Sequence, residues 1–210
     1  MERAEYYSSC REEMKQFLPS SIRRSIEFGC GFGNFSVFIR EKFKSEVWGV
    51  DLSPDAVEKA GNFLDKVIES EAISAVDFLP DRYFDCVVCN DLLEHLTDPD
   101  IFIAKLKQKV TPDAVLVASV PNVRHFKTIK NLLLHKDWKY TDKGVLDKTH
   151  LRFFTEKSLK RFLQDNNMSI EFFEGINRWK SFRLEILNIL FAGSISDMFF
   201  LQFGFRAKFS

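Results

Sequence analysis

The sequence predicts an α/β protein with a doubly wound sheet, and three observations carry the prediction. Apolar runs at residues 46–50, 86–89 and 114–120 lack polar alternation, as strands buried on both faces do, and a short strand at 25–28 precedes them. Helix-type patterns lie between them and give the order β-α-β-α-β-β-α-β as far as residue 120, the pattern of a sheet covered on both sides. At the first junction Gly29, Gly31 and Gly33 stand on alternate positions between strand and helix. Glycine serves there for positive φ and for close approach of a ligand to bare backbone. The turn therefore marks a nucleotide-type pocket at the carboxyl edge of the sheet. A tight connection without a ligand is the plainer alternative.

Residues 12–18 are short and amphipathic and stop at Pro19, which predicts a helix over the mouth of the sheet. After the glycine turn, residues 34–42 set Phe35, Phe38 and Ile39 on one helical face. The second strand ends in Asp51. Ser53-Pro54-Asp55 then starts a helix to about residue 64: a capping serine, a proline at the first helical position and an acid at the positive end of the dipole. Residues 66–68 are a short third strand, and 86–89 a fourth that ends at Asn90-Asp91. Residues 99–110 form an amphipathic helix and 114–120 the fifth strand. From 121 to 154 regularity loosens, with one helical piece near 128–135, and a segment of that length covers an active site. Thr155-Glu156 caps a helix to about residue 166; strands follow at 169–174 and 199–209, with a helix at 184–191 between them. Residues 1–210 read as one domain, with the cover segment at about 121–154.

Composition narrows the function. With 30 Lys and Arg against 30 Asp and Glu, the formal net charge is zero, which argues against nucleic acid or an acidic membrane as partner. The 23 phenylalanines predict bulky core packing and an apolar-walled cleft. Cys86 and Cys89 form a C-x-x-C inside an apolar strand rather than at a turn or helix start, so they and Cys10 and Cys30 read as reduced thiols. The opening Met1-Glu2-Arg3-Ala4-Glu5 has no apolar signal core, and no window approaches the roughly 18 apolar residues of a membrane span. The expected setting is reducing and cytoplasmic, with monomer and homodimer both open. The apolar stretch 184–203 reads as the ordinary end of the fold or as a dimer or lipid face.

With these pieces in place the chain resembles the class I S-adenosylmethionine-dependent methyltransferases over nearly its whole length. Glu27-Phe28-Gly29-Cys30-Gly31-Phe32-Gly33 is similar to that family's first motif, an acid followed by G-x-G-x-G. Asp51 follows Gly33 by 18 residues, where the family places the acid that holds the ribose hydroxyls. Phe84-Asp85 through Asn90-Asp91 to Glu94-His95 resembles the fourth-strand motif. Pro121-Asn122-Val123-Arg124-His125 and Thr149-His150-Leu151-Arg152-Phe153-Phe154-Thr155 look like a subgroup associated with bacterial surface-glycan and related small-molecule methylation. The resemblance implies a Rossmann-like, mostly parallel seven-stranded sheet with an antiparallel last strand. It also implies S-adenosyl-L-methionine as cofactor, with S-adenosyl-L-homocysteine as product. It places Glu71 near the adenine amine and the acceptor beside the segment of His150. Pro112-Asp113-Ala114 departs from the family's glycine pair, and bulky Phe32 must point away from the cofactor or cover it.

The chemistry of the residues points the same way. Asn34 stands where a dinucleotide fingerprint has its last glycine, which argues against a pyrophosphate ligand and a nicotinamide dehydrogenase. The amino-acid end of the cofactor needs bare backbone at Gly29, Cys30 and Gly31, with Glu27 near its ammonium. Ribose hydroxyls are donors and suit an ionised Asp51; Leu52 packs on adenine, and Asn90 lines the path of the methyl. Capping is the structural alternative for Asp51, Asn90 and Asp91. For a hydroxyl acceptor the base is sought in the order His150, His125, His95. Arg124 and Arg152 are candidates to hold an anionic acceptor, and Tyr140 and Trp138 to wall it; salt bridges and packing are their alternatives. No histidine or acid cluster shows metal spacing along the chain, so a metal-independent enzyme is expected. The expected function is O-methylation of a sugar, glycan intermediate or related metabolite. A lipid-like quinol as acceptor and a non-catalytic cofactor-binding module are the alternatives.

Overall fold

The computed structural model describes residues 10–209, so the polar opening from Met1 to Glu5 lies outside it. Seven strands form one sheet: β1 Arg24–Phe28, β2 Glu46–Asp51, β3 Lys66–Glu69, β4 Phe84–Asn90, β5 Val110–Pro121, β6 Met168–Arg178 and β7 Phe200–Phe209. Their spatial order is β3-β2-β1-β4-β5-β7-β6. The first five pair in parallel, and β7 runs antiparallel between β5 and β6. Strand order reverses between β1 and β4. Open α/β sheets bind ligands in the crevice at such a reversal, which here lies beyond Phe28 and Asn90.

The helices are α1 Asn34–Phe43, α2 Pro54–Gly61, α3 Ala72–Ala75, α4 Pro99–Lys109, α5 Phe126–Lys130, α6 Glu156–Asp165 and α7 Phe182–Leu190. Local chemistry fixes their starts: the Ser53 hydroxyl accepts the Ala56 N–H ahead of Pro54, and Thr155 with Ser158 forms a reciprocal capping box. The sheet carries a core on each face. Ile26, Phe28, Val87 and Cys89 lie on one side, and Val47, Cys86 and Val88 on the other. Cys86 and Cys89 therefore face opposite ways, and all four cysteines are free.

The elements differ from the sequence-based expectations chiefly in four places, and β6 also runs to Arg178, four residues past the expected strand end. Residues 12–17 form a 3-10 helix, Glu12–Phe17, which buries Met14 and Phe17. β5 begins four residues early and takes in Pro112 and Asp113, because its register with β4 breaks: Phe84 faces Val110 but Cys86 faces Val115. The extra residues form a bulge that a proline tolerates. α3, continued by a 3-10 turn Val76–Phe78, went unread because four residues are too few to show periodicity. In the cover segment α5 passes into a π-helical turn, Asn131–His135. The ends of that segment meet, with Asn122 bridged to Phe154 and the Val123 N–H donating to the Phe154 carbonyl at 2.9 Å. No described helix is long and apolar enough to cross a membrane.

Candidate active site

Gly29, Gly31 and Gly33 all take positive φ, at 71°, 54° and 81°. The turn folds back on β2: the N–H groups of Gly29 and Cys30 both donate to the Val50 carbonyl, at 2.8 and 3.1 Å. The Gly31 N–H donates to Asp51 Oδ2 at 2.8 Å, and Asp51 Oδ1 accepts the Ser53 N–H at 2.9 Å. One buried carboxylate thus ties the glycine turn to the start of α2, and it keeps lone pairs for further donors. Beside it Leu52 is 65% exposed. Glu71 is exposed at the start of α3, on the same edge, because the Ser70 N–H donates to the Asp51 carbonyl at 3.1 Å. Cys30 sends its thiol into the core, where burial pushes its pKa far up, so only its main chain faces the crevice. The Phe32 ring packs under Lys59, 4.1 Å from Nζ, which resolves where that bulky side chain goes.

Across the crevice Glu27 is 3% exposed. Its carboxylate accepts the Ser36 hydroxyl at 2.6 Å and Asn90 Nδ2 at 3.3 Å. Burial pushes its pKa up to about 7, against the lowering by those hydrogen bonds. Asn90 Oδ1 is buried without a partner among the described residues. A buried acceptor left unmatched beside an acid suits a cationic N–H donor. Next to it Asp91 has φ of 50° and receives Arg11, the Ser119 hydroxyl (2.7 Å) and Gln202 Nε2 (2.7 Å). Burial would raise the Asp91 carboxyl, but Arg11 and these donors outweigh it and hold it low. Arg11, Ser119 and Gln202 carry no sequence signal, since each sits on a different element far along the chain.

The cover segment is fastened to the end of β4 through main chain. The N–H groups of Leu151 and Arg152 donate to the Glu94 carbonyl at 2.8 and 3.0 Å. This sets the His150 ring 4.7 Å from that of His95, edge to face. His150 Nδ1 lies 3.1 Å from the Val145 carbonyl and His95 Nδ1 3.2 Å from that of Thr149. Glu94 is 1% exposed, with both carboxylate oxygens lacking a hydrogen-bond partner among the described residues. Burial and then the charge of Asp91 push its pKa well up. The structure therefore joins His95 and His150 around Glu94 and leaves His125 apart.

His125 caps α5 at the end of β5, with Nε2 buried and unpartnered among the described residues. Burial, and then the charge of Lys127, hold its pKa down to about 4. The two arginines are engaged with protein groups. Arg124 pairs with Asp197 at 2.6 Å, and Arg152 donates to the carbonyls of Thr97 and Leu151 at 2.6 and 3.2 Å. Asn122 fastens the same corner, donating to the carbonyls of Asp197 (2.8 Å) and Phe200 (3.0 Å). Trp138 and Tyr140 pack about Phe153, with ring centroids at 5.5 and 6.4 Å, and Tyr140 stays half exposed.

A sheet wound this way, with a glycine turn and an acid at the end of the next strand, is the frame of a methyl-transferring enzyme class. The methyltransferase domain family matches residues 2–171, and the chain belongs to that family, a class whose methyl donor is S-adenosylmethionine. The trans-aconitate 2-methyltransferase of Methylobacterium radiotolerans is 32% identical over 101 residues, 48% of this chain and 38% of that protein. The ubiquinone biosynthesis O-methyltransferase of Neisseria meningitidis serogroup A is 27% identical over 135 residues, 60% of this chain and 56% of the other. The chain thus spans less than two thirds of either relative. Among solved structures, a SAM-dependent methyltransferase from Archaeoglobus fulgidus superposes with a TM-score of 0.64 at 23% identity, covering 98% of this chain and 94% of that one. That likeness is one of fold. The donor set fits the cofactor: bare backbone at the three glycines, free lone pairs on Asp51 and the unmatched Asn90 Oδ1.

Proposed function

We propose that this chain transfers a methyl group from S-adenosylmethionine to an oxygen of a small-molecule acceptor: a sugar, a glycan intermediate or a related metabolite. The observation that carries this reading is the unmatched Asn90 Oδ1 beside Glu27, across the strand reversal from Asp51. The cofactor supplies an electrophilic methyl on a sulfonium, so the protein has mainly to bind and align. Asp51 would hold the ribose hydroxyls, Leu52 and Glu71 the adenine, and Glu27 with Asn90 the ammonium. The cover segment would exclude water over the acceptor.

His125 suits the role of base better than His150, the first candidate from sequence. Its Nε2 is unpartnered and its ring is neutral at pH 7, whereas His150 faces Glu94. His125 also follows β5, whose Ser119 lies level with Asn90. So weak a base would steer the acceptor hydroxyl by a hydrogen bond and take its proton late, as the new bond forms. A quinol acceptor is the second reading. The Neisseria relative is named for ubiquinone biosynthesis, and Leu132, Leu133 and Leu134 stand exposed beside α5.

The test is incorporation of labelled methyl from S-adenosylmethionine into nucleotide sugars and short-chain quinols, followed by mass spectrometry. Transfer to a hydroxyl is expected. His125→Ala should lower turnover by about a hundredfold while cofactor affinity stays within a few fold. Tight cofactor binding with no transfer to any hydroxyl compound would favour a non-catalytic module.

A further inference from the structure

Glu94 and His95 follow β4, His150 lies in the cover segment, and one ligand-type atom from each falls within 4.8 Å of the others. We propose that these three side chains form a site for a first-row divalent transition-metal ion, such as Zn2+, Mn2+, Fe2+ or Co2+. The inference is independent of the methyl-transfer reading, and it reverses the metal-free expectation drawn from linear spacing.

The hydrogen bonds set the tautomers. Each histidine turns Nδ1 to a backbone carbonyl, His150 to Val145 and His95 to Thr149, and a carbonyl accepts only from N–H. Each Nε2 then carries a lone pair. Metal-binding histidines are oriented in this way, with the second nitrogen donating to a carbonyl. Thr149 is held in turn by Asp147, whose Oδ1 accepts both its N–H (2.8 Å) and its hydroxyl (2.6 Å).

The third group is the Glu94 carboxylate, deeply buried and unpartnered, 4.0 Å from His150 Nε2. Three groups with lone pairs to offer a cation thus lie together, the Glu94 carboxyl giving up its proton when the ion binds. A proton shared by Glu94 and His150 is the rival occupant, but 4.0 Å is too long for that hydrogen bond. Bound to a metal at about 2.0–2.2 Å, such atoms lie roughly 3–3.5 Å apart, so from 4.8 Å the side chains need close by about 1–2 Å. The frame is already locked, because the Glu94 carbonyl itself takes the N–H groups of Leu151 and Arg152. Two imidazoles and one carboxylate, without thiolate, select a first-row divalent ion over Mg2+ or Ca2+, and three protein ligands leave coordination positions open to water or a hydroxyl.

The test is titration of the chelator-stripped full chain with Co2+, followed by visible absorption, with Zn2+ calorimetry in parallel. One equivalent is expected, with d–d bands and no thiolate-to-cobalt charge transfer. His95→Gln, His150→Gln and Glu94→Gln should each weaken binding at least about tenfold while circular dichroism is unchanged. Absence of Co2+ uptake by the folded wild-type chain would overturn the proposal. So would unweakened binding in the folded variants, or a thiolate band. The wild-type titration decides the matter even where a variant fails to fold, and it reads metal binding without any methyl transfer.

Discussion

Replacement of Glu27 by Gln gives a stability change whose sign depends on pH. The carboxyl is buried, and its pKa rises from an ordinary 4.5 to about 7. Between those values the folded chain holds a proton that the unfolded chain releases, so stability falls as pH rises through the window. The full difference is about 2.5 pK units, or about 3 kcal/mol at 1.36 kcal/mol per unit, all of it lost by about pH 8. Glutamine is nearly isosteric and uncharged throughout. Its amide would still accept from Ser36, and the side chain of Asn90, whose Oδ1 has no other partner among the described residues, can turn to accept the new NH2. Urea unfolding of both chains without cofactor, at about pH 5 and pH 8, is the assay. Relative to the wild type, Glu27→Gln should gain about 2.5 kcal/mol between the two pH values, since pH 5 lies half a unit above the ordinary pKa of 4.5. A difference that does not change with pH, or one that favours the wild type at the higher pH, would refute the argument.

Three further substitutions test the frame. Gly204→Ala would bring a methyl within 2.5 Å of the buried Phe17 ring and should cost about 1–3 kcal/mol, seen as a lower thermal midpoint. Thr155→Ala removes one side of the capping box on α6 and should cost about 1 kcal/mol in denaturant unfolding. Asp91→Ala removes one of two carboxylates on the part-buried Arg11 guanidinium, Glu13 remaining at 2.8 Å, and should cost about 2 kcal/mol by the same measurement, with Asp91→Asn less affected because Ser119 and Gln202 retain an acceptor.

The crevice was legible in the sequence because its parts are local. Glycines on alternate positions and an acid closing the next strand are set by backbone needs within about twenty-five residues of chain. The capping signals at Ser53 and Thr155 are local in the same way, and both caps form. What the sequence hid depends on pairing between distant segments. The register break that carries Pro112 into β5 is a property of two strands, and neither sequence alone shows it. His95 stood in the sequence beside Glu94 after the fourth strand, and its partner His150 comes against its ring only through the cover segment. Arg124 and Arg152 looked open to a ligand because Asp197 and the carbonyl of Thr97, which hold them, reach them only through the fold.

The central claim is that Asp51, fixed by the Gly31 and Ser53 N–H groups, grips the ribose of S-adenosylmethionine at the glycine turn. Calorimetric titration of the wild-type chain and of Asp51→Ala with that compound tests it most directly. Saturable binding is expected for the wild type. Loss of two charge-assisted hydrogen bonds should weaken the variant by about 3 kcal/mol, roughly a hundredfold or more. A folded wild-type chain that takes up no S-adenosylmethionine at millimolar concentration, or a variant that binds it as well as the wild type, would contradict the account.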